Sequence, residues 1–146
     1  MIKFNLENAN ILDLYSGTGS FGIECLSRNV NNVVFVEKDP LAFSVLKKNI
    51  SNLKLINKSK LIYQDVKHFV EKSDGKNKFD LFFLDPPYKD TSFVEIIGLI
   101  KEKKLFTKHH SIIIHRERKC EEELTKFLKV DFQKNYGRSK IVIGSF

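Results

Sequence analysis

A carboxylate, two prolines and an aromatic stand together at Asp85-Pro86-Pro87-Tyr88, directly after the apolar run Phe79-Asp80-Leu81-Phe82-Phe83-Leu84. The run reads as a buried strand, which puts the four residues on the turn that ends it. Neither proline carries an N–H, so the turn offers hydrogen-bond acceptors and almost no donors. Such a surface suits a flat ring bearing an amino group. Asp85 and the Pro86 carbonyl can accept the two amine hydrogens, Pro87 keeps the turn short of donors, and Tyr88 can stack on the ring. A plain strand-ending turn, with proline stopping the ladder and Tyr88 packed on the rim, is the competing reading.

A second constellation lies near the start of the chain. Gly17-Thr18-Gly19-Ser20-Phe21-Gly22 has the spacing G-x-G-x-x-G, and Glu37 follows at the end of the next apolar run. By itself this spacing permits NAD, FAD or S-adenosyl-L-methionine. Charge separates them. Asp13 precedes Gly17 at the loop and would repel a pyrophosphate seeking the helix N-terminus, whereas it would attract the ammonium and sulfonium groups of S-adenosyl-L-methionine. Glu37 is placed to accept two ribose hydroxyls. Asp65 is a candidate for the adenine amino group, with Val66 near the ring, and a simple helix N-cap is the alternative role for Asp65. The cofactor-binding set is therefore Asp13, Tyr15, Ser16, Gly17, Thr18, Gly19, Glu37, Lys38, Asp65 and Val66.

These residues need elements to position them. Ile11 to Tyr15 reads as a first strand, Ser20 to Arg28 as a helix, and Val33 to Val36 as a second strand. Asp39 and Pro40 cap and open a helix to about Ile50. Lys60 to Tyr63 is a third strand, and a helix from Asp65 runs to about Lys72. The fourth strand leads into the Asp-Pro-Pro-Tyr turn. Apolar residues at 93, 94, 96, 97 and 100 predict a helix over about Thr91 to Lys103. Ser111 to His115 is a fifth strand, and Glu121 to about Leu128 is read as a short helix. Val130 to Tyr136 and Ser139 to Phe146 form two last strands turning at Gly137. Alternating strands and helices predict an α/β chain with a mainly parallel sheet of seven strands, and the tight final turn makes the last strand antiparallel. Ligands in such sheets bind beyond the carboxyl ends of the strands. Asp13, Glu37, Asp65 and Asp85 all fall at or just after those ends.

At 146 residues the chain is expected to be one domain, 1–146, with one sizeable core. No apolar run is long enough to span a membrane, and the start lacks a signal-peptide pattern. Cys25 and Cys120 show neither metal spacing nor a disulfide framework, so a reducing cytoplasm is the expected setting. A carbon-5 pyrimidine mechanism would need a cysteine at the active turn, and neither cysteine falls there in the sequence. His109, His110 and His115 lack ligand spacing, so no metal is expected. The net charge of +7 favours a polyanionic partner, although lysines are scattered along the chain. Lys89, Arg116, Arg118, Lys119, Arg138 and Lys140 are candidates for phosphate contacts near the rim.

Taken together, the Asp-x-x-x-Gly-x-Gly loop, the acidic second strand end and the Asp-Pro-Pro-Tyr turn mark amino-methyltransferases. Asp13-Leu14-Tyr15-Ser16-Gly17-Thr18-Gly19-Ser20-Phe21-Gly22-Ile23-Glu24-Cys25-Leu26-Ser27-Arg28 resembles the RsmD family, as do Val36-Glu37-Lys38-Asp39, Phe79 to Tyr88 and Tyr136-Gly137. The resemblance implies a Rossmann-like class I S-adenosyl-L-methionine-dependent methyltransferase. It implies a monomer that methylates the N2 amine of a guanine in 16S ribosomal RNA, free or in the small ribosomal subunit. The Asp-Pro-Pro-Tyr motif alone is shared with adenine-N6 enzymes. Two departures stand out. The family carries an N-terminal extension of which Met1 to Asn5 would be a remnant helix, so an impaired cofactor- or RNA-binding remnant is an alternative. At the fifth strand end the family tends to have Glu-His, where this chain has His115-Arg116.

Overall fold

The computed structural model describes residues 5–146. Met1 to Phe4 of the expected remnant helix lie outside the described residues, and Asn5 is not helical. Strands β1 (Asn10–Leu14), β2 (Asn32–Glu37), β3 (Ser59–Tyr63), β4 (Phe79–Leu84), β5 (Phe106–Glu117), β6 (Lys129–Tyr136) and β7 (Ser139–Ser145) form one sheet. The helices are α1 (Ser20–Leu26), α2 (Pro40–Asn52), α3 (Val66–Lys72) and α4 (Phe93–Glu102). The spatial order is β3-β2-β1-β4-β5-β7-β6. Pairing is parallel from β3 through β5, and β7 runs antiparallel to both β5 and β6. This is the predicted sheet, with the order reversing between β1 and β4.

Strand alternation sends successive side chains to opposite faces. Leu12 and Leu14 of β1 join Phe82, Leu84, Ile112 and Ile114 in a core covered by α3 and α4. Ile11 joins Val33, Phe35, Leu81 and Ile113 in a second core containing Cys25 and Leu26 of α1 and Leu46 and Ile50 of α2. Phe93, Ile96, Ile97 and Ile100 lie along one face of α4 and are buried. Each buried side chain of this kind contributes about 1.5–3 kcal/mol. Both faces of the sheet are thus covered, and functional groups are left to the strand ends.

The predicted caps are present. Asp39 Oδ1 accepts from the Ala42 N–H at 2.8 Å, with Pro40 at the first helical turn. Two elements differ from the sequence reading. The predicted helix over 121–128 is only a 3₁₀ turn at Leu124–Lys126, because Leu124 and Leu128, a helical spacing apart, both reach the core from a bent chain. Strand β5 starts at Phe106, well before Ser111, since its polar first half pairs with the start of β4 across a register shift.

Candidate active site

The parallel register carries the ends of β1, β2 and β4 to one rim, at the point where the strand order reverses. Open α/β sheets take their ligands at that crevice. The loop after β1 is shaped by its own backbone. Tyr15 holds φ at 60° although it is not glycine, and Gly17 and Gly19 have φ of 56° and 90°. A non-glycine residue in the left-handed region stores about 1–3 kcal/mol of strain. The Tyr15 phenol oxygen is buried without a partner, and burial pushes its pKa upward, helped by the charges of Asp90 and Asp65.

The loop is tied down from β2. Ser16 donates through its N–H to the Val36 carbonyl at 3.1 Å, and the Gly17 N–H donates to Glu37 Oε2 at 2.7 Å. Glu37 Oε1 accepts from the Lys38 and Asp39 N–H groups at 2.9 and 2.8 Å. An ionised carboxylate has about four acceptor sites. Three are engaged, so Glu37 shapes the loop and has one site on Oε2 left for a ligand hydroxyl. The Thr18 carbonyl accepts from Asn49 of α2 at 3.0 Å.

Asp13 is fully buried beneath this loop. Its Oδ2 accepts from the Gly22 N–H at 3.1 Å, while Oδ1 has no partner. Burial pushes its carboxyl up to about 8, against the Gly22 bond, and the negative charges of Asp85 and Glu37 add to the rise. A buried acceptor with nothing to accept from fits a ligand bringing positive charge and N–H groups to it. Open space above Gly17 fits the same ligand, since a Cβ built there meets nothing within 4 Å.

The glycines divide by role. A Cβ on Gly22 would sit 2.3 Å from Phe35 Cε1 and 2.9 Å from Val33 Cγ1, both fully buried residues. Gly22→Ala is expected to cost about 1–3 kcal/mol or more through overpacking. Gly17→Ala should cost only the left-handed strain, about 1–2 kcal/mol, yet fill the cradle. Denaturant titration and ligand titration on both variants check this. The expectation fails if Gly17→Ala binds ligand normally.

Asp65 takes the helix-cap position. Its Oδ1 caps α3 by accepting from the His68 N–H at 3.2 Å, and its Oδ2 lies 3.6 Å from Lys38 Nζ at the β2 end. Val66, beside it, is buried in the core at the start of α3. At the β4 end, Tyr88 is exposed, with Lys89 Nζ 5.6 Å from its ring centroid. Asp85 is half exposed, and its Oδ1 lies 2.8 Å from His115 Nδ1.

Arg116 overturns an expectation. A phosphate contact needs an accessible guanidinium, yet Arg116 is 2% exposed. Its Nη1 donates to the Pro86 and Pro87 carbonyls at 3.3 and 3.1 Å, and its Nη2 to those of Tyr88 and Asp90 at 3.2 Å each. Its Nε donates to Glu122 Oε1 at 2.8 Å, and its guanidinium carbon lies 4.5 Å from the Phe93 ring centroid. Lys140 is likewise buried, donating to the Cys120 carbonyl. The two sit opposite one another in the β5–β7 pairing. Lys89, Arg118, Lys119 and Arg138 remain exposed.

Cys25 is buried in α1, and burial pushes its thiol up to about 12, which suits an inert core group. Cys120, read as distant, has its Sγ 3.7 Å from the Tyr88 carbonyl. Among the described residues no group of three His, Cys, Asp or Glu side chains could hold a metal. No helix among them is long and apolar enough to cross a membrane. The contacts missed by sequence reasoning are His115 on Asp85 and Arg116 with Glu122 behind the turn. The β4–β5 register carries the first, whereas Glu122 reaches Arg116 from the irregular segment after β5.

The sheet order, the glycine loop and the acidic rim are those of the Rossmann-like S-adenosyl-L-methionine-dependent methyltransferase fold. A conserved hypothetical protein of Streptococcus pyogenes is 28% identical, with a TM-score of 0.86 over 96% of this chain and 88% of that one. Within this class, the chain belongs to the RsmD-like family described as conserved hypothetical protein 95, whose model matches residues 1–145. The ribosomal RNA small subunit methyltransferase D of Buchnera aphidicola is 33% identical over 114 residues, 78% of this chain and 59% of that protein. Its namesake from Haemophilus influenzae is 31% identical over 77% of this chain and 59% of its own length. The chain thus spans little more than half of these two relatives.

Proposed function

We propose that this chain transfers a methyl group from S-adenosyl-L-methionine to the exocyclic N2 amine of a guanine in small-subunit (16S) ribosomal RNA, acting as a cytoplasmic monomer on free RNA or on the assembling subunit. One observation carries the reading: the acceptor-only Asp85-Pro86 turn and the cation-seeking Asp13 loop meet at the crevice where the strand order reverses. The names of the relatives support ribosomal RNA as the substrate class.

When bound, the cofactor supplies an electrophilic methyl on sulfur. Asp13, Gly17 and Gly19 would hold its amino acid end, Glu37 its ribose, and Asp65 with Val66 its adenine. The remaining work belongs to the turn. The target amine is a weak nucleophile because its lone pair is delocalised into the ring. Asp85 Oδ2 and the free lone pair of the Pro86 carbonyl accept its two hydrogens, which aims the nitrogen and favours the tetrahedral, positively charged geometry that develops. The nitrogen then loses one proton, which Asp85 Oδ2 can take and, being half exposed, return to water. Tyr88 stacks on the base drawn out of its helix or loop.

The test is methylation of a 16S ribosomal RNA transcript and of small subunits lacking the modification, followed by nucleoside analysis. N2-methylguanosine is the expected product. N6-methyladenosine would replace guanine by adenine as the target. Absence of any product with both substrates would overturn the reading in favour of a cofactor- or RNA-binding role.

A further inference from the structure

We propose that His115 and Arg116, consecutive residues at the end of β5, are the positioning pair of the catalytic turn: His115 fixes the Asp85 carboxylate, and Arg116 fixes the carbonyls behind it. The proposal rests on the assignment of Asp85 as the amine acceptor.

The geometry starts with register. Leu84 of β4 pairs with Ile114 of β5, so the two residues after Leu84 run beside the next two of β5, which continues in the sheet to Glu117 while β4 ends. Asp85 meets His115, and Pro86 meets Arg116. An ionised carboxylate can only accept, so the 2.8 Å contact requires the proton on His115 Nδ1. That bond occupies Oδ1 and fixes the rotation of the carboxylate, which leaves Oδ2 for the amine.

A turn with two prolines has few N–H groups with which to hold itself. Its internal backbone bond runs from the Asp90 N–H to the Pro87 carbonyl at 2.8 Å. Arg116 supplies the missing donors. One planar guanidinium reaches the carbonyls of Pro86, Pro87, Tyr88 and Asp90, with Glu122 and the Phe93 ring balancing its charge. A buried ion pair is a poor source of stability and is better suited to fixing one geometry. The five-donor fork cannot be reproduced by an ammonium group. The same bond leaves the Pro86 carbonyl a single free lone pair, so its one remaining direction is set by Arg116.

The test uses the full chain and four variants. His115→Phe is expected to lower kcat for RNA methylation about 100-fold, the scale of a 1 Å misplacement, with cofactor Kd unchanged. His115→Asn keeps a donor near the Nδ1 position and should restore most of the rate. Arg116→Lys and Arg116→Met should lower kcat to a similar degree. They should also speed hydrogen exchange at the Asp90 amide at least about tenfold, while β1 and β4 amides exchange as before. Should Arg116→Met fail to fold, Arg116→Lys and the His115 variants decide. Wild-type kcat in His115→Phe, or unchanged Asp90 exchange in Arg116→Lys, overturns the respective half. An inactive wild-type chain would refute the proposed reaction. The exchange result would still decide whether Arg116 holds the turn.

Discussion

Asp85→Ala is expected to cut the methylation rate about 100- to 1000-fold, the usual scale for losing one preorganised polar group at the reacting atom, while S-adenosyl-L-methionine affinity stays close to wild type. The separation follows from location. Asp85 sits at the β4 end and bonds to β5, whereas the cofactor loop is anchored to β2 through Glu37 and to α1 through Asp13. Removing the carboxylate takes away the acceptor that orients the amine and leaves the loop contacts intact. Single-turnover methylation with saturating cofactor, beside a calorimetric cofactor titration, measures both quantities. A full-rate Asp85→Ala enzyme would remove this residue from the chemistry.

The second large effect concerns stability. The Asp13 carboxyl is raised from 3.8 to about 8 by burial. For a group whose folded value lies above its unfolded one, the stabilising contribution is complete below the unfolded value and is lost as pH rises through the folded value. The ligand-free chain should therefore lose stability between about pH 4 and pH 8 on account of Asp13. At about 1.4 kcal/mol per unit, the full shift corresponds to about 6 kcal/mol as an upper bound. Asp13→Asn keeps an oxygen for the Gly22 N–H and cannot ionise. Urea titrations at pH 5 and pH 8 should show a flatter dependence for the variant and greater stability at pH 8. Parallel curves for the two proteins would refute the buried, uncompensated carboxyl. The same residue should couple to the ligand. A cationic group beside Asp13 favours its ionised form, so binding releases a proton, and affinity rises up to about tenfold per pH unit until pH 8. The Asn variant should lose that dependence together with affinity, since a neutral amide brings no negative charge to the cationic group.

Much of this was readable from local chemistry. Alternating apolar runs and caps such as Asp39-Pro40 locate the strands and helices, and the order of elements fixes a parallel sheet with a final antiparallel strand. Asp13, Glu37, Asp65 and Asp85 at successive strand ends locate the rim. What local chemistry could not reveal is the pairing of distant residues. His115 and Asp85 are 30 positions apart, and their contact depends on the β4–β5 register. Arg116 looked like a surface cation because an arginine in a basic stretch usually is one. Only the donor-poor turn opposite makes burying it worthwhile. The Leu124 and Leu128 spacing imitates a helix for the same reason: period alone does not say whether the chain between two buried residues is wound or bent.

The place of β7 has a consequence for how the chain comes together. Residues 139–145 lie between β5 and β6, so β6 joins the sheet only through β7. Until β7 slots in, β5 and β6 both present unpaired edges, the templates for pairing with another chain. The strand that carries His115 and Arg116 therefore gains its second neighbour from a segment that follows it in the chain. The non-local pairing of β7 with β5 is slow compared with formation of the β6–β7 hairpin. The candidate rim is thus tied to the docking of β7: without it the glycine loop, α1 to α4 and the Asp-Pro-Pro-Tyr turn lack the strand that completes their support.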